Sequence, residues 1–374
     1  MRTLFILIVA GICMVGCKKP SEMLHLQAET CTGFITDSLG AIPIDTLVNG
    51  GYDYSDFITF DHGILVLSEK GELFYWPYDS QRVSRLKVKR ENISAIALGV
   101  AQNLYVVAQK KTVYKYDSSG KENRVGTSDS IIHLIRVNSK GDVFAITSYG
   151  IYSIRDQVNY FPDSLLNDPF TVDKYWDEPS TAWLDSADNL WIGFDYGEWG
   201  GNIISFDTRS RKFNKISVDT AIDYLNPIQS IFPGPDGTTY ATCGMMHVDL
   251  AGGILLIDKN FQCKIIYDKF EMSFGLQDST ETGEYIGPGA FSQSSGKILY
   301  YSDLGFFYGK YENDIFCKRF FYKPKLTWTS GQRLAVGSAM NVRKIHFIDH
   351  KKFIFLTRKN GVGYINQNRL TFLK

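Results

Sequence analysis

The chain has 374 residues, with 40 basic and 40 acidic side chains, so its formal net charge at neutral pH is zero. Phosphate binding requires clustered Lys and Arg. The nearest such stretch, Lys87 to Arg90, alternates with apolar residues like the wet face of a strand, which argues against a nucleic-acid partner. Aromatics reach 14% of the chain, an enrichment that favours sheets.

Arg2 opens the chain with a positive charge, and an unbroken run of apolar or small residues follows from Leu4 to Val15. The run is too short to span a bilayer as a helix, which needs about 20 residues. It fits the apolar region of a signal peptide over residues 1–16, with the small residue Gly16 at the cleavage site. Met14-Val15-Gly16-Cys17 resembles a bacterial lipobox, with Met where Leu is more usual. That resemblance implies cleavage before Cys17 and lipidation of its thiol by diacylglycerol, with palmitate-type acyl chains. The alternative is an ordinary secretory signal followed by a chance Cys. Buried acyl chains contribute about 0.8 kcal/mol per CH2, so two or three of them anchor a protein firmly. Lys18 stands where the proteobacterial sorting rule would place Asp for retention in the inner membrane. The expected location is therefore the cell envelope, on the outer membrane of a Gram-negative bacterium.

Residues 17–48 read as the lipidated N-terminus, a polar tether and a possible extra strand, Cys31-Thr32-Gly33-Phe34-Ile35-Thr36. Cys31, Cys243, Cys263 and Cys317 match no disulfide framework and no CxxC metal site, which leaves them as small buried residues.

From residue 49 to the end one unit recurs. An apolar stretch leads into a polar Gly/Asp/Asn turn, then a strand of aromatic and β-branched residues, a second turn and a short strand often ending in Asp. It is clearest from Pro179 to Ile216, where Ala182-Trp183-Leu184, Asn189-Leu190-Trp191-Ile192-Gly193, Ile203-Ile204-Ser205-Phe206-Asp207 and Lys212-Phe213-Asn214-Lys215-Ile216 predict four strands joined by hairpin turns. The position of Trp191 recurs as Leu65, Tyr105, Phe144, Trp191, Tyr240, Leu299 and Ile354, at intervals of 40, 39, 47, 49, 59 and 55 residues. Seven such anchors predict an all-β chain: a β-propeller of seven four-stranded antiparallel blades, with six or eight as the rival counts.

Asp188-Asn189-Leu190-Trp191-Ile192-Gly193 resembles the blade signature of two-component-regulator propellers, which occur as sensor domains of bacterial hybrid kinases. Leu104-Tyr105-Val106-Val107 and Val143-Phe144-Ala145-Ile146 match it loosely. The resemblance implies the fold and a habit of binding small ligands. This sequence shows no kinase segment, so signalling is not expected to carry over.

In a propeller blade, the loops between strands two and three share one face with the links between blades. The predicted excess length falls on that face, at Asp195–Gly201 in blade four, Met245–Gly253 in blade five and the blade links from the third onward. Long loops on a rigid scaffold are where binding residues concentrate. Ligand-binding candidates there are Tyr175, Trp176, Asp177, Tyr196, Glu198, Trp199, His247, Asp249, Trp328 and Arg333, flat aromatics mixed with charged groups. Their competing role is to pack the loops or to face solvent. Asp195, Glu198, His247 and Asp249 supply acid–base candidates for a polysaccharide hydrolase or lyase, or oxygen ligands for calcium. His62 and His350 fall in turns of the opposite face.

No GxSxG elbow, phosphate loop or metal motif occurs, so no cofactor is called for and the non-catalytic reading leads. The expected function is a lipid-anchored envelope propeller that holds a glycan, peptide or protein partner on the loop-rich face of blades four to seven. The alternatives are a propeller enzyme using the same face, and an envelope scaffold.

Overall fold

The computed structural model describes residues 26–27, 29–32, 53–78, 80, 82–162, 176–218, 225–246, 250–268, 283–312, 315–322, 342–349, 352–358, 361–366 and 369–373. Cys17, Tyr175, His247, Asp249, Trp328, Arg333 and His350 lie outside them. The fold is an all-β propeller of seven antiparallel sheets, each with a four-stranded core in sequence order. All seven anchors fall on the second strands: Gly63–Ser68, Leu104–Ala108, Val143–Thr147, Asn189–Asp195, Thr239–Met246, Lys297–Ser302 and Lys352–Thr357. These strands are buried almost throughout, which is why they read as continuous runs of β-branched and aromatic residues rather than as alternations. Among the described residues, the helical segments are three-residue 3-10 turns, and no helix is long and apolar enough to cross a membrane.

The chain packs as two units. The first, Met1–Ala28 with Tyr52–Glu178, holds blades one to three, and the second, Glu29–Gly51 with Pro179–Lys374, holds blades four to seven. Within each unit the first strand of a blade packs on its successor's first strand. Leu26–Gln27 adds to the outer strand of blade one, Arg82–Leu86. In the second unit Glu29–Thr32 pairs antiparallel with the outer strand of blade seven, Arg369–Leu373. Cys31–Thr32, the start of the predicted extra strand, is therefore a fifth strand at a blade edge. Ser217–Val218 likewise adds to blade five, in parallel with Gln262 and Cys263.

The recurring terminal Asp has a structural reason. Asp117 Oδ1 accepts the N–H groups of Ser119 and Lys121, Asp207 Oδ1 those of Arg209 and Ser210, and Asp258 Oδ1 those of Asn260 and Gln262. Each carboxylate closes the hairpin between strands three and four by standing in for a backbone acceptor. Asp185 and Asn138 do the same between strands one and two.

Three sequence expectations need correction. The connection in blade five is not a nine-residue loop. The ladder runs on through Cys243–Gly253, Gly244–Gly252, Met245–Ala251 and Met246–Leu250. Its glycines mark the close approach of blade six: a Cβ on Gly244 would lie 2.2 Å from the Ile286 carbonyl oxygen, and one on Gly252 2.4 Å from the Ile286 nitrogen. Lys87 to Arg90 is not a strand face either, because the outer strand of blade one ends at Leu86 and these residues form the link to blade two. Cys243 and Cys263 are buried as expected, with burial pushing their thiols up to about 12 and about 11, but Cys317 is exposed on its strand.

Candidate functional site

In blade four the loop from Asp195 to Gly201 is built as a rigid display. Asp195 Oδ1 accepts the Gly197 N–H at 2.8 Å. The Tyr196 N–H donates to the Gly200 carbonyl at 2.8 Å, and the Gly201 N–H ties the loop to the Leu225 carbonyl at 2.7 Å. Gly197 and Gly200 have φ of 62° and 91°, values that L side chains adopt only with strain. The Tyr196 ring stacks on the buried Phe194 at 5.8 Å. The indole of Trp199 is therefore held out at 68% exposure, with Asp195 and Glu198 also exposed beside it. An exposed indole on such a loop offers a flat apolar face to a ligand.

The next blades add a polar chain behind this loop. A β-bulge between Ile228 and Ser230 sets Gln229 out of the ladder of blade five. Its amide donates to the Gly244 carbonyl at 3.0 Å and to Asp195 Oδ2 at 3.4 Å, and its oxygen accepts the Tyr285 O–H at 3.1 Å. The Tyr285 N–H in turn donates to Asp303 Oδ1 at 3.2 Å. Burial pushes the Tyr285 phenol up, and the charges of Asp195 and Asp303 add to that, so it stays a neutral donor. Asp195, Gln229, Tyr285 and Asp303 thus link blades four, five and six at the end where strands two and three connect. Nearby, the buried Glu284 accepts hydrogen bonds from the Tyr267 hydroxyl at 2.9 Å and from Lys318, while its Oε1 has no partner.

Blade three carries a second cluster, in the first unit. His133 is the residue at its bulge, with Nε2 2.8 Å from Ser148 Oγ and Nδ1 3.6 Å from the exposed Glu178 carboxylate. The link is pinned there because the Trp176 N–H donates to the Ser148 carbonyl at 2.9 Å and the Trp176 indole N–H donates to the Thr147 carbonyl. Trp176 is 1% exposed and packs on Phe161, so it fills a core and offers no face to a ligand, contrary to the sequence expectation. Its neighbour Asp177 is exposed, as is Tyr149 in the turn beside Ser148.

Of the sequence candidates, the structure brings Tyr196, Glu198 and Trp199 together on one loop with Asp195, and places Asp177 on another. The catalytic and calcium alternatives need His247 and Asp249, which are outside the described residues. Among the described residues, no group of three or more His, Cys, Asp and Glu side chains is placed to hold a metal.

Sequence reasoning missed Gln229, Tyr285, Asp303, His133 and Ser148. A signal for two of them was present. First-strand bulges fall at Ser94, His133, Gln229 and Arg343, each 11 residues before its blade anchor, and at Ser55 in blade one. Bulges often re-aim a side chain beside a functional site, and aligning the repeats on their anchors exposes that column.

No protein-family model matches the chain, and no curated protein matches it. Solved structures do. The extracellular domain of the hybrid two-component system BT3049 from B. thetaiotaomicron aligns at 13% identity with a TM-score of 0.53, over 91% of this chain and 41% of that one. This chain thus spans about two fifths of that extracellular chain's length. A structure of YCF48 bound to D1 peptide aligns at 10% identity with a TM-score of 0.53, over 88% of this chain and 94% of that one. The β-propeller domain of Cps50 (Swd1) from Myceliophteria thermophila aligns at 11% identity with a TM-score of 0.53, over 88% and 100%. At such identities the likeness establishes the β-propeller fold and nothing finer.

Proposed function

We propose that the protein is a lipid-anchored binding propeller of the cell envelope, non-catalytic, which holds a glycan against the loop face of blade four. The observation that carries this reading is Trp199, displayed on a hydrogen-bonded loop with Asp195 and Glu198 beside it and the Gln229 amide behind. A flat indole stacks on the apolar face of a sugar ring, and the exposed Asp195 and Glu198 carboxylates accept its hydroxyls. A rigid loop spends little ordering entropy on binding. The extracellular placement of the BT3049 domain agrees with an exported protein. The peptide bound to YCF48 keeps a peptide ligand as the runner-up.

The test is a glycan-array and thermal-shift screen of the protein beside a Trp199→Ala, Glu198→Ala double variant. Both side chains are exposed, so the variant should melt within about 0.5 kcal/mol of the parent's stability. A glycan that raises the melting temperature of the parent and not of the variant supports the reading. Silence across the array, with capture of a peptide or protein partner through Trp199, replaces the glycan with that partner. Anchoring is read separately: Cys17→Ala should abolish incorporation of an alkyne-tagged palmitate in cells, and equal labelling of both proteins would refute it.

A further inference from the structure

Blade one carries a groove of about 580 Å³ that shares no residue with the loop site. Its walls are the turn after the second strand, the outer strand and the link to blade two, and its charged lining is Lys70, Glu72, Arg85, Lys87, Arg90 and Glu91. The lining carries four cations against two carboxylates, so a local positive charge remains in a chain of zero net charge.

The groove is preorganised. Arg85 Nη2 lies 2.7 Å from Glu72 Oε1. Arg90 grips Glu122 through Nε at 3.1 and 3.2 Å and through Nη2 at 2.6 Å, and its guanidinium lies 4.1 Å over the Tyr114 ring. The turn bearing Lys70 is locked to the link bearing Glu91, since a Cβ on Gly71 would stand 2.5 Å from the Ile93 nitrogen. Two fixed guanidinium groups thus sit in the walls, and Lys70 and Lys87 are exposed in the lining.

We infer that this groove binds an acidic carbohydrate, a chain whose carboxylate or sulfate groups meet the cations while its hydroxyls donate to Glu72 and Glu91. The mixed lining decides the class. A polyphosphate chain offers no hydroxyl donor to the two carboxylates, and the lining holds no aromatic ring on which a nucleobase could stack. A sugar acid supplies both partners: anions at intervals and hydroxyl donors between them. The inference does not rest on the loop site.

The experiment titrates the full-length protein with oligogalacturonate, with a sulfated dextran, with neutral dextran and with inorganic phosphate, following heat or melting temperature. Binding of either acidic saccharide but not of neutral dextran is expected, weakening as salt rises from about 0.05 to 0.5 M. Lys70→Gln with Lys87→Gln should weaken it roughly tenfold, about threefold for each exposed charge contact. Lys70→Arg with Lys87→Arg should retain it, and Lys140→Gln, at an exposed lysine outside the groove, should leave it unchanged. Equal affinity of the Gln variant, failure of both acidic saccharides to bind, or displacement by equimolar inorganic phosphate would each overturn the inference.

Discussion

His346 lies half-buried on the first strand of blade seven, two residues from Lys344 on the same strand. Burial, with the Lys344 charge adding to it, pushes its imidazole down to about 4 from the ordinary 6.5. The unfolded chain therefore takes up this proton first as the pH falls. Stability that is fully present above about pH 6.5 is lost between 6.5 and 4, to a total on the order of 3 kcal/mol. Urea melts of the parent and of His346→Phe at pH 7 and pH 4.5 should differ in slope with pH, the variant losing less. Equal losses would exclude His346 as the source. Trp176 shows what single-residue reading cannot reach. An aromatic among Tyr175, Asp177 and Glu178 looks like a ligand platform, and only the fold reveals that the Thr147 carbonyl takes its indole N–H.

Blades four and five were read with the same rules, with opposite success. In blade four every turn residue did a local job: Asp185 capped a hairpin, and Gly197 and Gly200 took left-handed backbone. In blade five the sequence reads Gly252 and Gly253 as a loop, but both stay in the ladder, and blade six lies against Gly252. Gly252→Ala should therefore cost about 1–3 kcal/mol by overpacking against Ile286. Gly141→Ala meets no atom within 4 Å and should cost only the left-handed backbone penalty, about 1–2 kcal/mol. Denaturant midpoints compare the two. A Gly252→Ala protein as stable as the parent would mean that blade six gives way without loss.

At the scale of the whole molecule, burial falls from the second strand to the fourth most clearly in blades two and three. Gly63–Ser68 and Val143–Thr147 are buried at every residue, whereas the fourth strands Glu122–Thr127 and Val158–Tyr160 have no buried residue. Amide hydrogen exchange should follow that gradient, slowest in the second strands and fastest in the fourth. Equal protection of the two sets would contradict it. The all-β class, the anchors and the order of strands were legible in the residues alone, because strand alternation, hairpin turns and Asp-closed corners act over a few neighbouring positions. The sealing of Trp176, the chain from Asp195 to Asp303 and the cation-lined groove of blade one were decided only by tertiary structure. Each depends on atoms from segments tens of residues apart, and their meeting is set by how blades pack rather than by any local preference.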